Sequence, residues 1–212
     1  MKRISKKDIG KEYEKINQEI SINYICSLAA DFSKNIKPKD SELKNYFARN
    51  KELFRQYIPA NRDENNRNLF KLDGVEQKVR EAFINTEALK LAEQKINECA
   101  KELETREFKQ AAKKCDLKVK ETAPFKFGSD VEGIGATNIF WNTAKLLNDK
   151  EHSKIIRIPS GFYIIQVKSI TQIDKNKFDQ DRIEFGKNLI EQKKQERFSA
   201  FLMDLNKKAA LY

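Results

Sequence analysis

One histidine, His152, and three cysteines, Cys26, Cys99 and Cys115, make up the whole imidazole and thiol inventory of this chain. A structural zinc site takes four nitrogen or sulfur ligands, commonly with close pairs, and no two of these residues stand at a CxxC spacing. A nucleophilic triad needs a base within reach of a serine or cysteine. His152 follows Glu151 in a stretch that reads as an exposed loop, with no evident partner, so no catalytic residue and no metal ligand is assigned. Each cysteine falls at an apolar position of its element, as a small buried hydrophobe would. The glycine-bearing segment KFGSDVEGIG, with Gly128, Gly133 and Gly135, lacks the GxxxxGK[ST] pattern and opens no dinucleotide fingerprint. Its glycines read as turn residues with positive φ. Carboxylates are scattered over helix surfaces, where solvation and i,i+4 pairing account for them. No ATP, metal or other cofactor is expected. What remains is aromatic. Phe140 and Trp141 are adjacent, and phenylalanines are spaced along 178–205. The first pair reads as core, or as a shallow platform for a ligand. The second set either buries its stripe or leaves part of it exposed for an apolar client.

The balance of charge adds one constraint. The 212 residues carry 42 Lys and Arg against 32 Asp and Glu, a net +10, with 35% charged and 39% hydrophobic residues. Such a surplus attracts nucleic acid, anionic lipid or acidic polypeptide. The clusters are short, however: Lys113-Lys114, Lys193-Lys194 and Lys207-Lys208 lie on helical segments with acids nearby. A solvated lysine-rich surface is therefore expected, and no nucleic-acid partner. No apolar run approaches the roughly 20 residues of a membrane span. The opening MKRISKKDIG has no apolar signal region. The chain is expected to stay in the cytosol, or to be the soluble part of a longer targeted protein. An unpaired thiol is a liability in an oxidising compartment without excluding one.

These residues must be positioned by elements that alternate between two periods. Ser5 and Asp8 have capping-box spacing, and Ile9, Tyr13 and Ile16 place a helix over about 6–16. Ile20, Ile22, Tyr24, Cys26 and Leu28 alternate with other residues, which predicts a half-buried strand over 19–28. Leu43, Tyr46, Phe47, Asn50 and Phe54 mark a helix over 40–53, ended by Pro59, and 59–68 reads as an exposed loop. A long helix is expected from Gly74 to Leu103, bent or broken near Asn85-Thr86, and then a second helix capped by Thr105 through Lys114. A strand follows at 117–122, then the glycine segment and a short helix capped by Thr137. Strands at 154–158 and 162–170 flank Pro159-Ser160-Gly161, an order that suits a tight antiparallel turn. The last helix spans about 177–208. Its stripe is Phe178, Phe185, Leu189, Phe198, Phe201, Leu202 and Leu205. The long helices on either side of 104–170 cannot bury their own faces, so they are expected to pack together.

Several phrases, taken in order, resemble the parvulin-type peptidyl-prolyl isomerase and SurA/PpiD periplasmic chaperone superfamily. ELKNYFARNKELF at 42–54 looks like the family's recurring helix before the isomerase segment, and VEQKVREAF at 75–83 is similar to the helix that rejoins the chaperone core. EFKQAAKKCDLKVKETAPFKFGSDVEGIG resembles the region from the second parvulin helix into its glycine-bearing loop. PSGFYIIQVKSI is similar to the terminal parvulin hairpin, and FDQDRIEFGKNLIEQKKQERFSAFLMDL to the closing helix. The resemblance implies an α+β fold. A helical chaperone-like module of discontinuous segments, 1–103 plus 171–212 with a strand near 19–28, would carry a small parvulin-like α/β domain at 104–170. It implies a holdase for unfolded or folding envelope proteins, in the periplasm or cell envelope. Active members carry a histidine on the first strand, in a His-Ile-Leu-type phrase, and another in the terminal hairpin. Here the hairpin position is Tyr163, and no first-strand phrase is found before the 87–103 helix, so little or no isomerase activity is expected. The substrate-binding candidates are Phe140, Trp141, Tyr163, Phe198 and Phe201. The missing strand would leave an open sheet edge, to be filled by 19–28 or 54–58 in cis or from a second copy, as a homodimer by strand exchange. The alternatives are an active isomerase with unusual catalytic groups and a basic nucleic-acid-binding or scaffold module.

Overall fold

The computed structural model describes residues 5–57, 75–136 and 138–209. Its architecture is α+β. Helix α1, Lys6–Asn17, starts with a closed capping box. The Ser5 N–H donates to Asp8 Oδ2 at 3.0 Å, and the Asp8 N–H to Ser5 Oγ at 3.2 Å. Strand β1, Ile20–Leu28, is buried along most of its length on both faces, Ser21, Ile25 and Ser27 as well as Ile20, Ile22 and Tyr24. The expected half-buried strand is thus a central one. Local alternation identified the strand, and its neighbours in the sheet decide the burial of the second face.

Helix α2 is Ala29–Ser33, and the helix expected over 40–53 is two pieces, α3 at Asp40–Arg49 and α4 at Lys51–Phe54. Asn50 leaves helical geometry between them and turns its side-chain amide back to the Tyr46 carbonyl at 2.8 Å. Residues 55–57 form a single 3-10 turn, not a strand. Pro59, the loop at 59–68 and Gly74 lie outside the described residues. Helix α5, Val75–Leu103, runs unbroken through Asn85-Thr86. The Thr86 hydroxyl donates to the Ala82 carbonyl of its own helix at 2.8 Å and lies 3.0 Å from the Tyr46 hydroxyl. A residue that competes with the backbone in isolation is here absorbed by it. Helix α6, Phe108–Lys114, has Glu107 rather than Thr105 at its N-cap. Thr105 reaches back to Glu102 at the end of α5.

Strand β2, Lys120–Glu121, β3, Asp130–Val131, β4, Gly135–Ala136, and α7, Asn138–Ala144, follow; the Thr137 cap lies outside the described residues. Gly128, Gly133 and Gly135 have φ of 85°, 78° and 84°, the turn role expected of them. Strands β5, Ile156–Ile158, and β6, Gly161–Ile170, form the antiparallel hairpin. Its Gly161 is required by contact: a Cβ there would stand 2.4 Å from the Ser27 carbonyl oxygen and 2.8 Å from Leu28 Cα. Helix α8 is Lys175–Ala209. The larger sheet has the order β2-β1-β6-β5, and β3 pairs with β4 alone. The edge expected beside β6 is filled in cis by β1.

The chain divides into two compact units. One gathers Met1–Ile22, Thr122–Asp149 and Val167–Tyr212; the other Asn23–Glu121 and Lys150–Gln166. The range 104–170, grouped above as one insertion, is shared between them. Each long helix finds its partners in its own unit: α5 packs on α2, α3 and α6, and α8 on α1. In the second unit Ile25, Ile96, Cys99, Phe108, Phe162 and Ile164 belong to one core, and Leu43, Phe47, Phe54, Val75 and Val79 form another. In the first unit Tyr13 of α1 sits between Phe178 and Phe185 of α8, ring centroids at 4.9 and 5.2 Å, and donates to Asp181 at 3.0 Å.

Candidate functional site

Helix α8 carries its apolar stripe out of its own core. Phe178 and Phe185 are half-buried and Leu189 is buried. From there to residue 208 every side chain is exposed except half-buried Lys193. Phe198 is 62% exposed, Phe201 57% and Met203 67%, and Leu202 and Leu205 are open as well. A helix in a folded unit ordinarily buries such a stripe, because each large apolar side chain gains roughly 1.5–3 kcal/mol on leaving water. Here that gain is unrealised. The charges around the stripe pair locally, Lys194 with Glu191 at 2.7 Å and Lys208 with Asp204 at 2.9 Å. Both pairs are exposed and add little to stability.

A second constellation lies inside the larger sheet. Tyr24 of β1 and Tyr163 of β6 have ring centroids 6.0 Å apart and an interplanar angle of 36°. Strand alternation sends them to the face opposite Ile25, Phe162 and Ile164. Burial raises both phenols above their ordinary range, and the nearby Cys26 thiol adds to the effect; a hydrogen bond with Ser160 works against it at Tyr163. Burial also raises the Cys26 thiol, partly opposed by the positive charge of Lys120. The three groups are therefore neutral near pH 7. They offer no general base and no thiolate nucleophile.

The five residues singled out in the sequence differ in exposure. Phe140 and Trp141 of α7 are 0% and 4% exposed, with Phe127 edge-on to the indole at 5.7 Å and the Lys145 ammonium 5.8 Å from the ring. Lys145 is itself held by Gln18 at 2.7 Å and Glu14 at 3.1 Å. The indole Nε1 is buried without a hydrogen-bond partner. These side chains are core. Tyr163 is 1% exposed on β6, and only Phe198 and Phe201 face solvent. His152, expected on an exposed loop, is half-buried and forms a single bridge with Gln166. Among the described residues no group of histidine, cysteine and carboxylate side chains can hold a metal ion, and no helix is long and apolar enough to cross a membrane. The sequence reading missed Tyr24 as the neighbour of Tyr163. Its alternation was visible, but only the pairing of β1 with β6 joins two residues so far apart in the chain. No protein-family model, curated protein or solved structure matches the chain.

Proposed function

We propose that this protein is a holding chaperone for unfolded polypeptides of the cell envelope, and that its isomerase-like part is catalytically inactive. The observation that carries the proposal is the open stripe of α8. Phe198, Phe201, Leu202 and Leu205 stand free to receive client side chains, and several weak apolar contacts add to micromolar affinity without a fixed sequence. The placement in the periplasm or envelope rests on the family resemblance. The position of β1 supports a degenerate parvulin-like unit built in cis. Tyr24-Ile25-Cys26 then stands at the place of the His-Ile-Leu phrase, beside Tyr163 at the place of the hairpin histidine. Two buried, neutral phenols replace the pair of imidazoles.

The test is binding of a fluorescent, permanently unfolded polypeptide at about 0.1 and about 0.5 M salt. Micromolar binding that survives the higher salt and falls about tenfold or more in Phe198→Ser/Phe201→Ser supports apolar holding. Binding that collapses with salt, or a duplex oligonucleotide bound in its place, sinks the proposal and makes the basic surface the functional one. In a peptide assay of X-Pro isomerisation the protein is expected to leave the uncatalysed rate unchanged. A clear acceleration removes the claim of inactivity.

A further inference from the structure

Strand β2 is the outermost strand of the larger sheet, paired with β1 on one side only. Its register sets Glu121 against Asn23 and Lys120 against Tyr24. The Thr122 N–H donates to the Ile22 carbonyl at 3.0 Å. In an antiparallel ladder main-chain groups turn alternately toward and away from the partner. Lys120 and Thr122 therefore address β1, and the same alternation turns the main chain of Glu121, and of Val119 just before the strand, to the outer side. No strand among the described residues pairs with that side.

Along this edge, between β2 and α6, runs an open groove of about 640 Å³. Leu117 and Val119 form an apolar floor, and four exposed lysines rise around it, Lys109 and Lys113 from α6 and Lys118 and Lys120 from the strand segment. None of the four forms an ion pair with a described residue, whereas Lys90, Lys145 and Lys194 do so at 2.7–3.1 Å. The acids at the groove are Asp116 and Glu121, which leaves 4 − 2 = +2.

We infer that this edge accepts an extended acidic segment of another polypeptide, added as a further antiparallel or parallel strand. The backbone supplies hydrogen bonds that any sequence satisfies, and side-chain alternation supplies the selection. Every second residue of the guest points to the apolar floor beside α6, and the residues between them reach Lys118 and Lys120, which strand alternation sends to the opposite face. A guest of alternating apolar and acidic residues matches both. The lysines also repel a second copy of the same edge, so that self-pairing, the usual hazard of an open strand, is opposed by the feature that admits an acidic partner. This groove is independent of the α8 stripe.

The experiment is fluorescence anisotropy on the full chain with a fluorescein-labelled octapeptide of alternating Glu and Val. Saturable binding is expected, weakened about tenfold or more by Lys118→Glu/Lys120→Glu, two exposed positions, in a variant whose far-UV circular dichroism is expected to match the parent's. The same peptide N-methylated at alternate residues on one edge is expected to lose binding to a similar degree, and its Lys-Val counterpart not to bind. Phe198→Ser/Phe201→Ser is expected to bind the Glu-Val peptide as the parent does, which separates this groove from the holding surface. Amide resonances of 117–121 are expected to shift on titration. Equal affinity for the N-methylated peptide, no difference in the charge-reversal variant, or displacement of the peptide by duplex DNA at the same lysines would each overturn strand addition.

Discussion

At the level of single residues, contact distances decide what is replaceable. Gly161 closes the β5–β6 hairpin against the end of β1, where an added methyl meets backbone atoms on two sides. Gly161→Ala is expected to cost about 2 kcal/mol or more, read as a lower urea midpoint at unchanged slope, because neither Ser27 nor Leu28 can yield without breaking the strand. Gly128, at φ 85° with open space around it, needs its freedom only for the backbone. The cysteines separate in the same way. Cys99 is pushed up to about 12, chiefly by burial and also by the neighbouring Cys115 thiol with which it shares a hydrogen bond. Its folded value lies above the unfolded value, so the stability it contributes is complete below about pH 9 and declines as pH rises toward 12. Urea midpoints measured from pH 8 upward are expected to fall, with a shallower fall in Cys99→Ala. Native alkylation at pH 8 is expected to label half-exposed Cys26 before Cys99 and Cys115; equal rates for all three contradict the burial assignment.

At the level of elements, the sequence was most readable where period and terminus agree. The capping box at Ser5 and Asp8, the alternation over 19–28 and the Pro-Ser-Gly hairpin all specify local geometry, and all three stand where their residues placed them. The failures share one cause. Asn85-Thr86 reads locally as a weak point because its hydroxyl competes with the backbone, yet Tyr46, forty residues earlier, hydrogen-bonds that hydroxyl at 3.0 Å. Helix 40–53 broke at Asn50, whose amide found a carbonyl on the preceding turn. The stripe of α8 was legible as a stripe, but periodicity is the same whether a face is covered or open. That ambiguity gives a sharp prediction. Phe198→Ser/Phe201→Ser is expected to change unfolding free energy by no more than about 0.5 kcal/mol. A loss of about 3 kcal/mol or more for the pair would show that the face is buried in the folded protein.

For the molecule as a whole, chain order and spatial order diverge. The sequence suggested one insertion at 104–170 because the segment lies between two long helices. The two compact units have bounds at 122, 150 and 167 within that segment. What joins these pieces is strand pairing over large separations, such as Ile20 with Phe125, whose two main-chain bonds are 3.0 and 2.9 Å. Register of this kind leaves no local mark on composition or period. The net charge of +10 was legible at once, but its placement was not: four of its lysines gather on one groove while many others lie along helix surfaces.

The free end of α8 also has a thermal consequence. About twenty residues beyond Leu189 are held by little besides their own backbone ladder and local ion pairs, and helicity without tertiary packing depends on temperature. On heating, far-UV ellipticity at 222 nm is expected to drift downward well before tryptophan fluorescence reports any loosening around Trp141. Deleting 191–212 is expected to flatten that drift and leave the main transition where it was. An unfolded client laid along the stripe would flatten it too, so the helix end doubles as its own gauge of occupancy.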